Sequence, residues 1–91
     1  MSKILTVVIP SYNVEQFLAK TVKSFLAEAI LDDIEILIIN DGSKDRTKDI
    51  GIEFEKKYPQ SVKLVDKPNG GHGSTINKGL SIATGKYFKV V

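Results

Sequence analysis

The sequence predicts an α/β fold, a Rossmann-like doubly wound parallel sheet with elements in the order βαβαβαβ. Two apolar runs, residues 4–9 and 34–40, are nearly continuous and rich in β-branched side chains, which is typical of parallel strands buried on both faces. The segments that follow them carry apolar residues at helical spacing. Right-handed crossovers would then place helices on both faces of one sheet.

A first helix is predicted after Pro10, which ends the first strand because proline cannot donate a hydrogen bond to a sheet. Asn13 is a suitable N-cap with Gln16 three residues later, and Tyr12 and Phe17 are spaced to form a hydrophobic staple. The apolar residues of this helix recur over four turns: Val14, Phe17, Leu18, Val22, Phe25, Leu26 and Ala29. We therefore expect the helix to begin directly after Asn13.

A second helix is predicted from about residue 45 to 57, and Pro59 follows its end. Its apolar stripe consists of Thr47, Ile50, Phe54 and Tyr58. Gly51 lies inside this helix, where glycine costs about 1 kcal/mol relative to alanine. Its presence therefore predicts close packing of the helix on the sheet.

Residues 62–65 are predicted to form a short third strand, which leads into the loop-like segment 67–73. Ser74 is a suitable cap for a third helix, and Gly85 stands where the C′ residue of that helix belongs. One face of the helix carries Ile76, Leu80 and Ala83. Residues 87–91 then begin a fourth strand.

Composition excludes several classes of protein. Hydrophobic residues make up 42% and charged residues 26% of the 91 residues, which is typical of one globular domain. The net charge of +2 comes with lysines scattered among acids, so no nucleic-acid partner is expected. Cysteine is absent, which excludes disulfides and thiolate chemistry. No apolar run approaches the roughly 20 residues of a membrane span and no signal peptide is evident, so we expect a cytoplasmic location.

Three loops are predicted to meet at the carboxyl edge of the sheet, where α/β folds bind their ligands: residues 10–13, 40–43 and 67–73. Asp41 directly follows the central strand. Its carboxylate accepts hydrogen bonds only, so it serves either a ligand that offers a donor or an Asx turn of its own loop. Gly42 can take the positive φ of a sharp turn, and Ser43 or Asp45 can cap the second helix.

The first loop decides which nucleotides this edge can accept. Residues 10–13 lack the glycines that a dinucleotide site needs, and no Gly-Lys-Ser/Thr occurs, so NAD, FAD and P-loop sites are excluded. Tyr12 offers an aromatic face on which a base can stack for about 1 to 3 kcal/mol, besides its predicted role in the staple. Asp41 can accept a ring N–H, which suits uracil or thymine and repels cytosine. Guanine, with two adjacent donors, remains a competitor.

Four segments carry a family resemblance. They are Val-Val-Ile-Pro-Ser-Tyr-Asn at 7–13, Ile-Ile-Asn-Asp-Gly-Ser-Lys-Asp-Arg-Thr at 38–47, Asn-Gly-Gly-His-Gly-Ser-Thr-Ile-Asn-Lys-Gly at 69–79 and Ala-Thr-Gly-Lys-Tyr-Phe at 83–88. In this order and spacing they resemble the amino-terminal half of a family 2 glycosyltransferase of the GT-A fold. The resemblance implies that residues 1–91 form a single partial domain that binds a nucleotide diphosphate sugar, usually a UDP-sugar.

The resemblance also implies which residues bind the nucleotide. They are Pro10, Tyr12, Asp41, Asn69, Gly71, His72 and Asn77. Many members place an arginine just before the residue matching Asn77, but this chain has Ile76. A positive charge near the diphosphate is then expected from Lys67, Lys78, His72 or a segment outside this chain. Because His72 has no carboxylate partner in sequence, we expect a hydrogen-bonding role for it rather than metal ligation.

Members of the family hold a divalent metal, Mg²⁺ or Mn²⁺, on an Asp-x-Asp motif after the fourth strand, and their catalytic base lies further on. The resemblance therefore places the catalytic residues and metal ligands beyond Val91, with none inside this chain. The complete enzyme is expected to displace the diphosphate at the anomeric carbon with an acceptor hydroxyl from an unknown sugar, lipid or protein, in polysaccharide biosynthesis. This chain alone is expected to bind UDP weakly or not at all and to transfer no sugar.

Two other functions remain as alternatives. A nucleotidyltransferase shares the sheet architecture but needs a glycine and basic loop after the first strand, which residues 10–13 do not supply. A non-catalytic nucleotide-binding module is the other alternative. In addition, the outer edge of the last strand would be unpaired, so self-association through it is expected. The full-length protein is expected in the cytosol or at the cytoplasmic face of a membrane.

Overall fold

The computed structural model describes residues 3–28 and 33–91, except for the side chains of Glu28 and His72. It confirms the predicted alternation of strands and helices. The elements are β1 (Leu5–Ser11), α1 (Leu18–Glu28), β2 (Ile34–Asp41), α2 (Thr47–Lys57), β3 (Val62–Lys67), α3 (His72–Ile82) and β4 (Tyr87–Val90). Within the described ranges, each helix is too short and too polar to cross a bilayer.

The four strands form one parallel sheet in the order β3-β2-β1-β4. Ile9 pairs with Ile38 on the neighbouring strand, and Asn40 pairs with Asp66. Every residue of β2 is buried, as expected for a central parallel strand covered on both faces. The carboxyl ends of β1, β2 and β3 therefore lie together at one edge of the sheet.

The core has two layers, one on each face of the sheet. Helices α1 and α2 cover one face, where Leu18 and Phe54 pack with Ile36 and other β-strand side chains. Helix α3 covers the opposite face, where Ile82 packs against the cluster that contains Leu37. The alternation of Ile36 and Leu37 between the two layers follows from the two-residue period of a strand.

The start of α1 differs from the prediction. The helix begins at Leu18 rather than after Asn13, and Asn13 has a φ of 53°. Tyr12 and Phe17 are 46% and 66% exposed, so the predicted hydrophobic staple is wrong. The physical reason is that the amides of Asn13 and its successors bind side chains of the β2–α2 loop instead of a local cap. Ala29, the last residue of the predicted apolar stripe, lies outside the described residues.

The predicted helix caps differ from those in the structure. The N-cap residue of α2 is Arg46, whose side chain makes no capping hydrogen bond, so neither Ser43 nor Asp45 is the predicted N-cap. Asp45 lies one residue earlier, and its Oδ1 accepts the amide of Thr47, the first residue of α2, at 2.9 Å. Helix α3 begins at His72 with Gly71 as its N-cap residue, so Ser74 lies inside the helix and its predicted role is wrong.

Two glycines lie close to neighbouring strands. A Cβ on Gly51 would stand 2.7 Å from Leu64 Cδ1, which confirms the predicted close packing of α2 on the sheet. Gly85 is not the C′ residue of α3, because that helix ends at Ile82. Its position instead reflects close approach to β1, since an added Cβ would stand 2.5 Å from the amide nitrogen of Thr6.

Candidate functional site

An open cleft of about 440 Å³ lies at the carboxyl edge of the sheet, where the three loops converge as predicted. Its lining consists of Pro10, Ser11, Tyr12, Val14, Asp41, Asn69, Gly71 and Thr75. The end of β1 supplies one wall, and the start of α3 with the loop before it supplies the other. Asp41 lies between the two walls at the end of β2.

The structure brings together most of the residues that the sequence analysis assigned to the nucleotide. Pro10, Tyr12, Asp41, Asn69 and Gly71 all line the cleft. Asn77 does not line it and is exposed on α3. The side chain of His72 lies outside what the structure describes.

Sequence reasoning missed Thr75, which is 1% exposed and lines the cleft. The amide of Thr75 donates to the carbonyl of Gly71 at 3.2 Å, one helical turn earlier. Residues four apart share a helix face, so the spacing from Gly71 was the signal that could have identified Thr75. Val14 was missed because the predicted helix start placed it inside α1. Ser11 lay inside the predicted loop 10–13 but was not assigned to the site.

The carboxylate of Asp41 is held by the β3–α3 loop. Its Oδ1 accepts the ammonium of Lys67 at 2.6 Å and the amide of Gly70 at 2.8 Å, and its Oδ2 accepts the amide of Gly71 at 3.0 Å. Asp41 does not make the Asx turn that was left open for it, and the side chain that bonds within this turn is that of Asn40, whose Oδ1 accepts the amide of Ser43 at 3.3 Å. Asp41 thus joins the cleft walls rather than closing its own turn.

The ammonium of Lys67 holds the pKa of Asp41 below its ordinary value of 3.8, and the amides of Gly70 and Gly71 act in the same direction against the opposing effect of burial. Asp41 is therefore an anion at neutral pH. An ionised carboxylate has about four acceptor positions. Three donors reach it within the described part of the chain, two on Oδ1 and one on Oδ2, which leaves one acceptor position on Oδ2.

Lys67 is committed to this carboxylate. Its side chain is 13% exposed, and its ammonium also donates to the carbonyl of Pro68 at 2.7 Å. The sequence analysis offered Lys67 as one source of positive charge for a diphosphate. In the structure its first role is to neutralise Asp41 and to fasten the loop that carries Asn69.

Tyr12 stands at the rim of the cleft with almost half of its surface exposed. Pro10 precedes it on β1, paired in register with Ile39 of β2. An exposed aromatic ring beside a buried anion is an arrangement that can hold a flat heterocycle, by stacking on one side and by one hydrogen bond at its edge.

An open parallel α/β sheet with a cleft at this edge is an architecture that many nucleotide-binding proteins share. A family model described as Glycosyl transferase family 2 matches residues 6–91, and the chain therefore belongs to that family. The resemblance noted from the sequence is confirmed.

Curated relatives support the same assignment. GgaB, a minor teichoic acid biosynthesis protein of Bacillus subtilis (strain 168), is 35% identical over 85 residues, which span 92% of this chain and 9% of that protein. The uncharacterized glycosyltransferase EpsJ of the same organism is 34% identical over 91 residues, or 100% of this chain and 26% of EpsJ. The chain thus spans about a quarter or less of these relatives.

Among solved structures, the mannosyltransferase PcManGT from Pyrobaculum calidifontis, in complex with GDP-Man and Mn²⁺, superposes with a TM-score of 0.80. The match covers 92% of this chain and 25% of that protein at 21% identity. Identity this low shows the fold alone, which is the GT-A fold predicted from the sequence.

Proposed function

We propose that this chain forms the donor-binding part of a glycosyltransferase whose donor is a UDP-sugar. The single observation that carries the proposal is the one open acceptor position on the buried carboxylate of Asp41, beside the exposed ring of Tyr12. Membership of glycosyl transferase family 2 supports transfer of a sugar. The neighbouring mannosyltransferase, in complex with GDP-Man, supports a nucleotide-linked donor.

The number of acceptor positions favours uracil over guanine. Uracil presents a single ring N–H between two carbonyl groups, and one free position on Oδ2 of Asp41 accepts it. Guanine presents two adjacent donors. The second would find no free acceptor position, because Lys67, Gly70 and Gly71 already donate to this carboxylate. Cytosine offers a lone pair at the same place and would be repelled by the anion.

In the proposed reaction, an acceptor hydroxyl oxygen bonds to the anomeric carbon while the bond from that carbon to the diphosphate breaks. A carboxylate base takes the hydroxyl proton, and the electron pair leaves with the nucleoside diphosphate. The residues of this chain bind and orient the donor: Tyr12 and Asp41 hold the base, and Asn69 and Gly71 form the facing wall.

Metal binding is assigned to other parts of the full-length enzyme. In the described residues, no group of three or more histidine and acidic side chains is placed to hold a metal ion. The neighbouring mannosyltransferase was in complex with Mn²⁺. We therefore propose that Mg²⁺ or Mn²⁺ and the catalytic base are supplied by segments outside this chain.

The acceptor is proposed only as a class. GgaB functions in minor teichoic acid biosynthesis. For this chain we propose a wider class of acceptor, one used in the assembly of a polysaccharide or a related surface polymer.

Titration with UDP and with GDP, followed by amide NMR shifts or calorimetry with Mn²⁺ present, tests the donor assignment. Of the two outcomes expected from the sequence, weak UDP binding or none, the open acceptor position of Asp41 favours weak binding. We expect UDP to shift the signals of Gly70 and Gly71, and GDP to bind more weakly still. Asp41→Asn removes the charged acceptor and is expected to weaken UDP binding about ten- to a hundredfold. Asp49→Asn, on the exposed surface of α2, is the matched control.

Equal UDP binding by Asp41→Asn and the parent would remove Asp41 from the site. Tighter binding of GDP than of UDP would overturn the uracil assignment while leaving a nucleotide site. The absence of any nucleotide-dependent change at the cleft would contradict the proposal as a whole.

A further inference from the structure

The segment after β1, which lines the cleft, is fastened to the segment after β2 by hydrogen bonds that neither segment could make alone. Three consecutive backbone amides after β1 donate to three side-chain oxygens of the β2–α2 connection. The bonds are Asn13 N to Ser43 Oγ at 3.0 Å, Val14 N to Thr47 Oγ1 at 2.8 Å and Glu15 N to Asp45 Oδ2 at 3.2 Å. Residues 43–47 thus satisfy backbone donors of the turn that leads into α1.

The same segments also bond in the opposite direction. The amide of Lys44 donates to Oδ1 of Asn13 at 2.8 Å, and the hydroxyl of Ser43 donates to the carbonyl of Ser11 at 3.3 Å. Asn13 makes these bonds with a φ of 53°, a conformation that asparagine tolerates better than most residues. We call these five hydrogen bonds, between residues 11–15 and 43–47, the loop clamp.

The loop clamp connects the β1 wall of the cleft to the segment that follows Asp41. Tyr12 lies within its first segment, and Asp41 lies two residues before its second segment. Thr47 is fully buried, and both its amide and its hydroxyl donate to Asp45. These bonds fix the positions of Thr47 Oγ1 and Asp45 Oδ2, which accept the amides of Val14 and Glu15.

We infer that Thr47 and Asp45 are positioning residues, which fix the ring of Tyr12 relative to the carboxylate of Asp41 without touching the nucleotide. Neither residue lines the cleft. The inference rests on the proposed function, since it assigns the clamp a role in nucleotide binding. Helix α1 is anchored independently by the buried side chains of Leu18 and Val22, so loss of the clamp should loosen residues 12–15 without unfolding the helix.

Thr47→Val tests the inference because valine keeps the shape of threonine but offers no oxygen to Val14. We expect the protein to remain folded, the amides of Val14 and Glu15 to exchange with solvent about tenfold faster, and UDP to bind about fivefold more weakly. Thr47→Ser restores the hydroxyl and should recover both values.

The matched control is Thr84→Val, which removes a hydroxyl bonded to Glu35 at 3.1 Å, at the opposite edge of the sheet. It should lower stability and leave UDP affinity unchanged. Faster amide exchange in Thr47→Val with parental UDP affinity would overturn the positioning role. Unchanged exchange at Val14 would show that the clamp bond contributes nothing, and would also overturn it.

The proposed function can fail separately. If the parent protein does not bind UDP, the donor assignment is lost, and the clamp is then judged by the ring of Tyr12 labelled as 3-fluorotyrosine. Increased ring mobility in Thr47→Val, reversed in Thr47→Ser, supports positioning of Tyr12 by the clamp. Identical ring mobility in all three proteins overturns it.

Discussion

Strand β2 carries a buried carboxylate at each end, and the two are satisfied in different ways. Within the described residues, Glu35 at the amino end accepts neutral donors: the hydroxyl of Thr6 at 2.9 Å, and the amide and hydroxyl of Thr84 at 2.9 and 3.1 Å. Asp41 at the carboxyl end accepts the ammonium of Lys67 and two amides. The first carboxylate joins parts of the fold, whereas the second also lines a cleft.

The two carboxylates differ because their hydrogen bonds join different parts of the fold. Thr6 Oγ1 also accepts the amide of Gly85 at 2.8 Å, so the network around Glu35 joins β1, β2 and the α3–β4 connection. Burial of a charge is costly unless hydrogen bonds replace those to water, and both ends of β2 meet that requirement. Six residues of extended strand, about 20 Å, separate the two carboxylates, so their substitutions should have separable effects.

The largest expected effect is on stability at the amino end. Glu35→Ala leaves the hydroxyl of Thr6 and the amide of Thr84 without their acceptor, and each such loss costs about 1 to 3 kcal/mol. We expect the free energy of unfolding to fall by about 3 kcal/mol, measured by urea denaturation, with UDP affinity unchanged in the folded fraction.

Glu35→Gln is the control, because it keeps one carbonyl oxygen for these donors. The free energy of unfolding of Glu35→Gln should fall by about 1 kcal/mol. A substantial loss of UDP affinity in a stable Glu35→Gln protein would contradict the separation of the two ends.

The next effect concerns selectivity at the carboxyl end. Lys67→Met removes one donor from Oδ1 of Asp41, so the carboxylate gains a second open acceptor position. We expect the ratio of GDP to UDP affinity to rise about fivefold, together with a lower melting temperature, because a buried anion has lost its partner. Lys67→Arg keeps the charge and should change the ratio less. Competition titrations of GDP against UDP measure this ratio of affinities. An unchanged ratio in Lys67→Met would show that Lys67 does not limit the acceptor positions of Asp41.

Low pH should reduce the stability that the carboxyl end of the sheet contributes. The pKa of Asp41 is lowered from 3.8 chiefly by Lys67, and that of Asp66 chiefly by Lys48. Near pH 3.8 the unfolded chain therefore binds more protons than the folded chain. The stabilisation is fully present well above pH 3.8 and is lost as the pH falls through the lowered values. Melting temperatures between pH 7 and pH 2 should show this loss, and Lys67→Met should show less of it.

The position of Asp41 could be predicted from sequence because it depends on one local fact. A buried parallel strand ends at a polar residue before Gly42, and parallel strands bring their ends together. The partner of Asp41 could not be predicted, because it depends on register. Asp41 and Lys67 are paired positions of β2 and β3, and a shift by one residue would have turned one of the two side chains to the opposite face.

Asn13 shows why a strong local signal gave a wrong helix start. Its spacing to Gln16 fits a capping box, but its hydrogen-bond partners lie about thirty residues away: Ser43 Oγ accepts its amide, and the amide of Lys44 donates to its Oδ1. Tertiary hydrogen bonds outcompeted the local cap. The network around Glu35 was missed for the same reason, since Thr84 is 49 residues away in sequence.

The smallest expected effects compare two glycines, one beside the cleft and one beneath it. Gly42 has a φ of 70°, and an added Cβ would lie 3.0 Å from the amide nitrogen of Asn69. Gly42→Ala should cost about 1 kcal/mol in backbone strain, and UDP should bind about threefold more weakly because Asn69 shifts.

Gly51→Ala gains about 1 kcal/mol in helix propensity but meets Leu64 Cδ1 at 2.7 Å, the end of a side chain that can rotate away. We expect it to be neutral in both thermal unfolding and UDP titration. Equal UDP affinity in Gly42→Ala and Gly51→Ala would show that the position of Asn69 does not matter for the nucleotide, and would confine the binding role of this wall to Gly71 and Thr75.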